Sequence, residues 1–187
     1  IAWKISPDHA IGIAPLFAYQ RFEAYGVQLF AQLSQSPGNV TNQGYDSSTG
    51  WGARIGYMGK VSPTVTVGLA YTTKMDMGKF DKYRGLFAEG GSFDIPSHYS
   101  IGVAFMPTPA WTVALDFGRI NYSDVASVGN ASLPQGQLGA ANGPGFGWKD
   151  IDVFKIGAAW RLSDALTLRA GYNKGDNPIR SADVTFN

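Results

Sequence analysis

Cysteine is absent from the 187 residues, which excludes a disulfide framework and any thiolate metal site. Charge is also scarce. Asp, Glu, Lys and Arg make up 16% of the chain, against roughly 25% in ordinary globular proteins. Net charge is +1 and the basic residues are scattered, so nothing suggests a nucleic-acid surface. No run of about 18 apolar residues occurs, which excludes a transmembrane helix. No signal-peptide pattern opens the chain. It starts at Ile1 within an alternating run (Ile1, Trp3 and Ile5 against Ala2 and Lys4), which points to a processed, truncated or partial chain. Helical periodicity is nearly missing as well.

What is abundant is glycine, 24 residues, and aromatic side chains, 13% of the chain. Large and small residues alternate. Val67, Leu69 and Tyr71 oppose Thr66, Gly68, Ala70 and Thr72. Tyr99, Ile101, Val103 and Phe105 oppose Ser100, Gly102 and Ala104, and Trp111, Val113, Leu115 and Phe117 oppose Thr112, Ala114, Asp116 and Gly118. After residue 153 the parity changes, so that Phe154, Ile156 and Trp160 oppose Lys155, Gly157 and Arg161. A period of two means a strand with unlike faces. The pattern predicts strands over 1–6, 10–25, 50–61, 65–77, 96–106, 110–122, 150–162 and 166–174. Most of these are longer than the usual strand of about five or six residues and match the nine to eleven of a tilted strand crossing a bilayer.

Connection lengths alternate too. Short turns fall at Ser6-Pro7-Asp8, Ser62-Pro63-Thr64, Pro107-Thr108-Pro109 and Ser163-Asp164-Ala165, where proline fixes φ and removes a donor no ladder needs. Between them lie long polar stretches near 30–50, 77–96, 123–150 and from 174 onward. Outer-membrane barrels have this asymmetry, with short periplasmic turns and long external loops. Trp3, Phe105, Trp111 and Trp160 all lie close to a short turn, on the large-residue face, as an interfacial girdle requires. A soluble sandwich with aromatic core edges is the plainer alternative, but strand length, loop asymmetry and girdle together favour an antiparallel transmembrane β-barrel. The opposite face combines small residues with Arg54, Lys60, Lys74, Asp76, Asp116, Lys155, Arg161 and Arg169, leaving room in a lumen for a plug or a ligand.

Catalysis finds no support. His9 and His98 are the only histidines, and no orienting acid completes a triad with the serines beside His98. No cluster has metal-ligand spacing, and Asp76 and Asp81 read as solvated loop acids. Gly143-Pro-Gly-Phe-Gly147 precedes no helix that would complete a phosphate cradle, so it reads as a flexible loop. No cofactor is implied.

Two stretches are more specific. One is Ser92-Phe-Asp-Ile-Pro-Ser-His-Tyr-Ser-Ile-Gly-Val-Ala-Phe105. The other runs from Gly145-Phe-Gly-Trp-Lys-Asp150 through Val153-Phe-Lys-Ile-Gly-Ala-Ala-Trp160 and Leu166-Thr-Leu-Arg-Ala-Gly-Tyr172 to Asn177-Pro-Ile179. Both resemble the long-chain fatty-acid transporter family, which includes aromatic-hydrocarbon uptake channels. The resemblance covers most of 50–187 and is weaker before 50. It implies a 14-stranded barrel in the bacterial outer membrane, plugged by an N-terminal hatch. Residues 1–187 would then be an internal barrel segment of about eight strands, without the hatch and the closing strands. It also implies passive passage of long-chain fatty acids or other hydrophobic molecules, with outer-membrane lipid and lipopolysaccharide as neighbours. A general porin or structural barrel is the competing expectation.

The candidate ligand-binding residues lie in the long loops. Lys149 follows Phe146 and Trp148, and a cation beside aromatic surface suits a fatty-acid carboxylate with its tail on apolar walls. A rim lysine facing water or lipopolysaccharide is the plainer reading. Phe80, Leu86 and Phe87, with Tyr83, are apolar in an otherwise polar loop, placed either to meet a greasy substrate or to fold the loop over the mouth.

Overall fold

A computed structural model describes residues 1–132, 136–181 and 183. Within them the chain forms one antiparallel meander. The strands are β1 (Ala2–Ser6), β2 (His9–Phe22), β3 (Asp46–Ser62), β4 (Val65–Thr72), β5 (Asp76–Met77), β6 (His98–Thr108), β7 (Trp111–Ile120), β8 (Ile151–Arg161) and β9 (Thr167–Gly175). Each pairs with its neighbour in the order β1-β2-β3-β4-β6-β7-β8-β9, while β5 pairs with β3. The sheet is not closed: β1 and β9 are its two edges. All eight expected strands are present, and the four short turns join them pairwise into hairpins.

Register explains the parity change. Leu115 faces Ile156, Phe117 faces Phe154 and Trp111 faces Trp160 across β7 and β8, so odd residues of one strand share a face with even residues of the next. That face is the outside. Phe17, Trp51, Leu69, Ile101, Leu115, Phe154 and Leu168 are all exposed there, the reverse of a soluble protein. An apolar band presented outward is what a lipid-facing barrel wall needs. Trp111 and Trp160 stack at the turn end, with centroids 5.2 Å apart and planes within 10°. The other face carries Arg54, Asp116, Lys155 and Arg169 among Gly56, Gly68, Gly102, Ala114, Gly157 and Gly171.

The expected strand 65–77 is broken, and its end turns inside out. Arg54 faces Thr72, but Trp51 faces Asp76, so four steps on one side match three on the other. One extra residue makes a β-bulge, and a one-residue slip exchanges the faces. The Thr73 hydroxyl accepts the Ala53 N–H within the bulge, at 3.0 Å. Met75 and Met77, odd like Tyr71, are therefore buried inward, and Asp76, expected in the lumen, is exposed beside Trp51. Gly50 and Gly52 make this possible. A Cβ on Gly52 would lie 2.7 Å from Met75 Cγ, and one on Gly50 would lie 2.6 Å from the Asp76 carbonyl oxygen.

The buried core lies above the sheet, in the long loops. Phe80, Tyr83 and Phe87 form its centre, packed by Phe22, Ala24, Leu86 and Phe93. The stretch expected to be a polar loop over 30–50 begins and ends earlier, because β2 already stops at Phe22. β3 starts at Asp46, and a 3-10 helix spans Gln28–Leu33.

Candidate hydrophobic capture site

The loops line a half-open cavity of about 350 Å³. Its walls are almost wholly apolar. Phe22 comes from the end of β2, Val27, Phe30 and Leu33 from the 3-10 helix and its entry, and Leu86 and Phe87 from the β5–β6 loop. Leu138, Pro144, Gly145 and Phe146 come from the β7–β8 loop, with Ser127 and Ser132 as the polar members. A larger hollow of about 530 Å³ lies nearby, lined by Gln35, Lys79, Glu89 and Ala140 among others. It is wide open and its lining carries the charged Lys79 and Glu89, so it offers an apolar ligand little to bury against.

Hydrogen bonds fix the walls. Tyr83 is fully buried. Its hydroxyl accepts the Ala24 N–H at 3.0 Å and donates to the Gly44 carbonyl at 2.9 Å, tying the loop to the end of β2 and to the entry of β3. The Ser34 hydroxyl donates to the Gly85 carbonyl at 2.6 Å. The Leu138 N–H donates to the Leu33 carbonyl at 2.9 Å, and the Gln35 N–H donates to the Leu138 carbonyl at 3.0 Å. Two loops thus share a short backbone ladder, and the Ser34 hydroxyl ties the third to it. The Gly143–Gly147 stretch, expected to be a flexible loop, is packed closely. A Cβ on Gly145 would lie 2.6 Å from the Ala126 carbonyl oxygen.

The sequence candidates separate here. Leu86, Phe87 and Phe146 line the cavity. Phe80 stands behind them in the buried cluster. A chain of ring contacts links the group: Phe22 to Phe87 at 4.7 Å, Phe87 to Phe93 at 4.9 Å, Phe93 to Phe146 at 6.3 Å and Phe146 to Trp148 at 6.0 Å. Trp148 ends edge-on against Tyr122 at 5.1 Å. Lys149 is not brought in. It is exposed, absent from the cavity wall, and its backbone N–H donates to the Pro178 carbonyl at 3.0 Å.

Sequence reasoning missed Phe22, Val27, Phe30, Leu33 and Leu138. A signal for three of them was present. Val27, Phe30 and Leu33 recur every third residue, and a 3-10 helix has three residues per turn, so they share one face. Leu29, off that register, is 85% exposed.

Ion pairs pin the loops to the strand ends. Lys74 bridges Asp76 at 2.9 Å and Asp94 at 3.0 Å, and the hydrogen bonds it donates to those two carboxylates hold its ammonium well above the usual lysine range. Asp94 also accepts the Met77 N–H at 2.8 Å, which fixes the residues after the bulge. Arg119 bridges Asp150 at 3.2 Å and Asp152 at 3.0 Å. Burial pushes Asp150 up. The Ser123 N–H and hydroxyl, at 2.9 and 2.8 Å, together with Arg119, outweigh it and leave the carboxyl below its ordinary value. Among the described residues no cluster of three or more metal-ligating side chains occurs.

Comparison with known proteins accounts for this combination of outward apolar wall and loop-built cavity. The family model for outer membrane protein transport proteins (OMPP1/FadL/TodX) matches residues 1–187. The chain belongs to that family. Its fold and its place in the outer membrane follow, and the family is one of transporters and channels, not of enzymes. Solved structures agree on the fold. The toluene transporter TodX of Pseudomonas putida superposes with a TM-score of 0.61 at 18% identity, covering 94% of this chain and 52% of that one. The toluene transporter TbuX of Ralstonia pickettii gives 0.56 at 18%, with 94% and 53% covered. A FadL homologue of Pseudomonas aeruginosa gives 0.60 at 15%, with 97% and 49% covered. The chain therefore spans about half the length of these structures. No curated protein sequence matches it.

Proposed function

We propose that this family member forms part of a passive route for hydrophobic small molecules across the outer membrane. The loop cavity is where such molecules are first held. The observation that carries this reading is the apolar, loop-lined cavity at the loop end of a wall whose inner face is small and polar. A ligand leaving water for that cavity gains about 25 cal/mol for each Å² of apolar surface buried. Family membership and the fold shared with two toluene transporters support hydrocarbons as cargo, and the FadL homologue keeps long-chain fatty acids within the class. The inward Arg54, Lys155 and Arg169 favour a second reading, a water-filled porin.

Two measurements on the intact protein test this. The first is binding of naphthalene, read by fluorescence, against a Leu138→Trp variant whose added ring fills the cavity. Capture predicts strong loss of binding in the variant. The second is conductance in planar bilayers, where large steady ion currents would establish the porin instead.

A further inference from the structure

We infer that the loop cavity selects uncharged ring-bearing hydrocarbons and rejects their carboxylates. The inference rests on the capture reading above and adds the charge of the ligand to it.

Four of the cavity's lining residues are phenylalanines, Phe22, Phe30, Phe87 and Phe146, and no lysine, arginine or histidine lines it among the described residues. Its two side-chain hydroxyls spend their protons on the protein. Ser127 donates to the Ser92 carbonyl and Ser132 donates to Asp183. Their remaining lone pairs repel an anion. Much of the wall's backbone is occupied as well. The N–H groups of Leu86 and Phe87 donate to the Tyr83 carbonyl, and that of Phe146 donates to the Ser127 carbonyl. Those of Leu138, Gly145 and Ser132 donate to Leu33, Ala131 and Asp183. A carboxylate entering here would lose water and meet no cation among the described lining residues, which is strongly unfavourable.

The charged group that holds the wall is itself acidic. Asp183 is 3% exposed and holds Ser132, a wall residue, through both its N–H and its hydroxyl. Its carboxylate stands behind the cavity wall, held below its ordinary pKa by the Ser132 bonds and by the Arg180 cation. Lys149, which would have served a carboxylate, is exposed outside. A neutral ring meets none of these penalties and gains contact with four aromatic faces.

The test compares ligands of one shape. The intact protein in detergent is titrated at neutral pH with naphthalene, 2-naphthamide and 2-naphthoate, with the Leu138→Trp and Val27→Trp variants as blanks for partition into micelles. The amide matches the carboxylate in size and is uncharged. The expected result is 2-naphthamide binding at least about tenfold more tightly than 2-naphthoate. The gap should close below the pKa of naphthoic acid, and Asp183→Asn should narrow it at neutral pH. Equal binding of amide and carboxylate at neutral pH would overturn the charge selection and leave capture standing. Naphthalene binding that persists in both blocked variants would overturn capture itself.

Discussion

Placing one arginine on each face of β7 tests which side meets lipid. Leu115 is the fifth of ten residues in the strand, 53% exposed, and paired on the same face with Val103 and Ile156. Ala114 is its neighbour on the opposite face, between Ala104 and Gly157. Near the bilayer midplane an outward arginine costs about 2–4 kcal/mol, because its guanidinium must leave water or drag water inward. At about 1.4 kcal/mol per tenfold, Leu115→Arg should lower the folding equilibrium constant by about 30- to 1000-fold. Ala114→Arg points into the lumen, close to Asp116, and should cost less than half as much. Reversible folding of the intact protein into phospholipid vesicles under urea, followed by tryptophan fluorescence, gives both values. Equal costs at 114 and 115 would show that the assigned faces are wrong. A larger cost at 114 would show that they are reversed.

Other residues make separate claims. Tyr83→Phe removes a buried hydroxyl that serves both Ala24 and Gly44. It should destabilise the loop layer by about 1–3 kcal/mol and expose residues 25–45 to protease, while barrel assembly in vesicles stays normal. Gly85→Ala would drive a Cβ into the Ser36 carbonyl and to 2.6 Å from the Ser34 hydroxyl. It should open the ladder at Leu138 and weaken naphthalene binding without affecting insertion. Asp150 has a lowered folded-state pKa, so its contribution to stability is complete above the unfolded value and is lost as pH falls through the folded one. Asp150→Asn should therefore destabilise the rim at neutral pH, and its difference from wild type should vanish in acid. Urea melts at several pH values would show a constant difference if the Ser123 and Arg119 contacts did not matter.

Strands and faces were legible in the sequence because their cause is local. A period of two depends only on neighbouring residues, so Leu69, Ile101, Leu115 and Phe154 declared the lipid face and Gly68, Gly102 and Lys155 the lumen. Proline at the short turns and the lengths of the loops supplied the hairpin repeat. Phe80, Leu86, Phe87 and Phe146 stood out for an equally local reason, being apolar in polar loops. Tertiary structure decided the rest. Whether Met75 points inward depends on how Thr73 meets Ala53 across the ladder, which alternation within one strand cannot reveal. The cavity draws walls from the end of β2 and from three loops, so Phe22 and Leu138 become neighbours only after the hairpins pair. Lys149 looked like a ligand residue because it adjoins Trp148 in sequence. Three-dimensional packing leaves it outside while Phe146, three residues earlier, lines the cavity, since adjacency along the chain does not determine which side of a loop faces in.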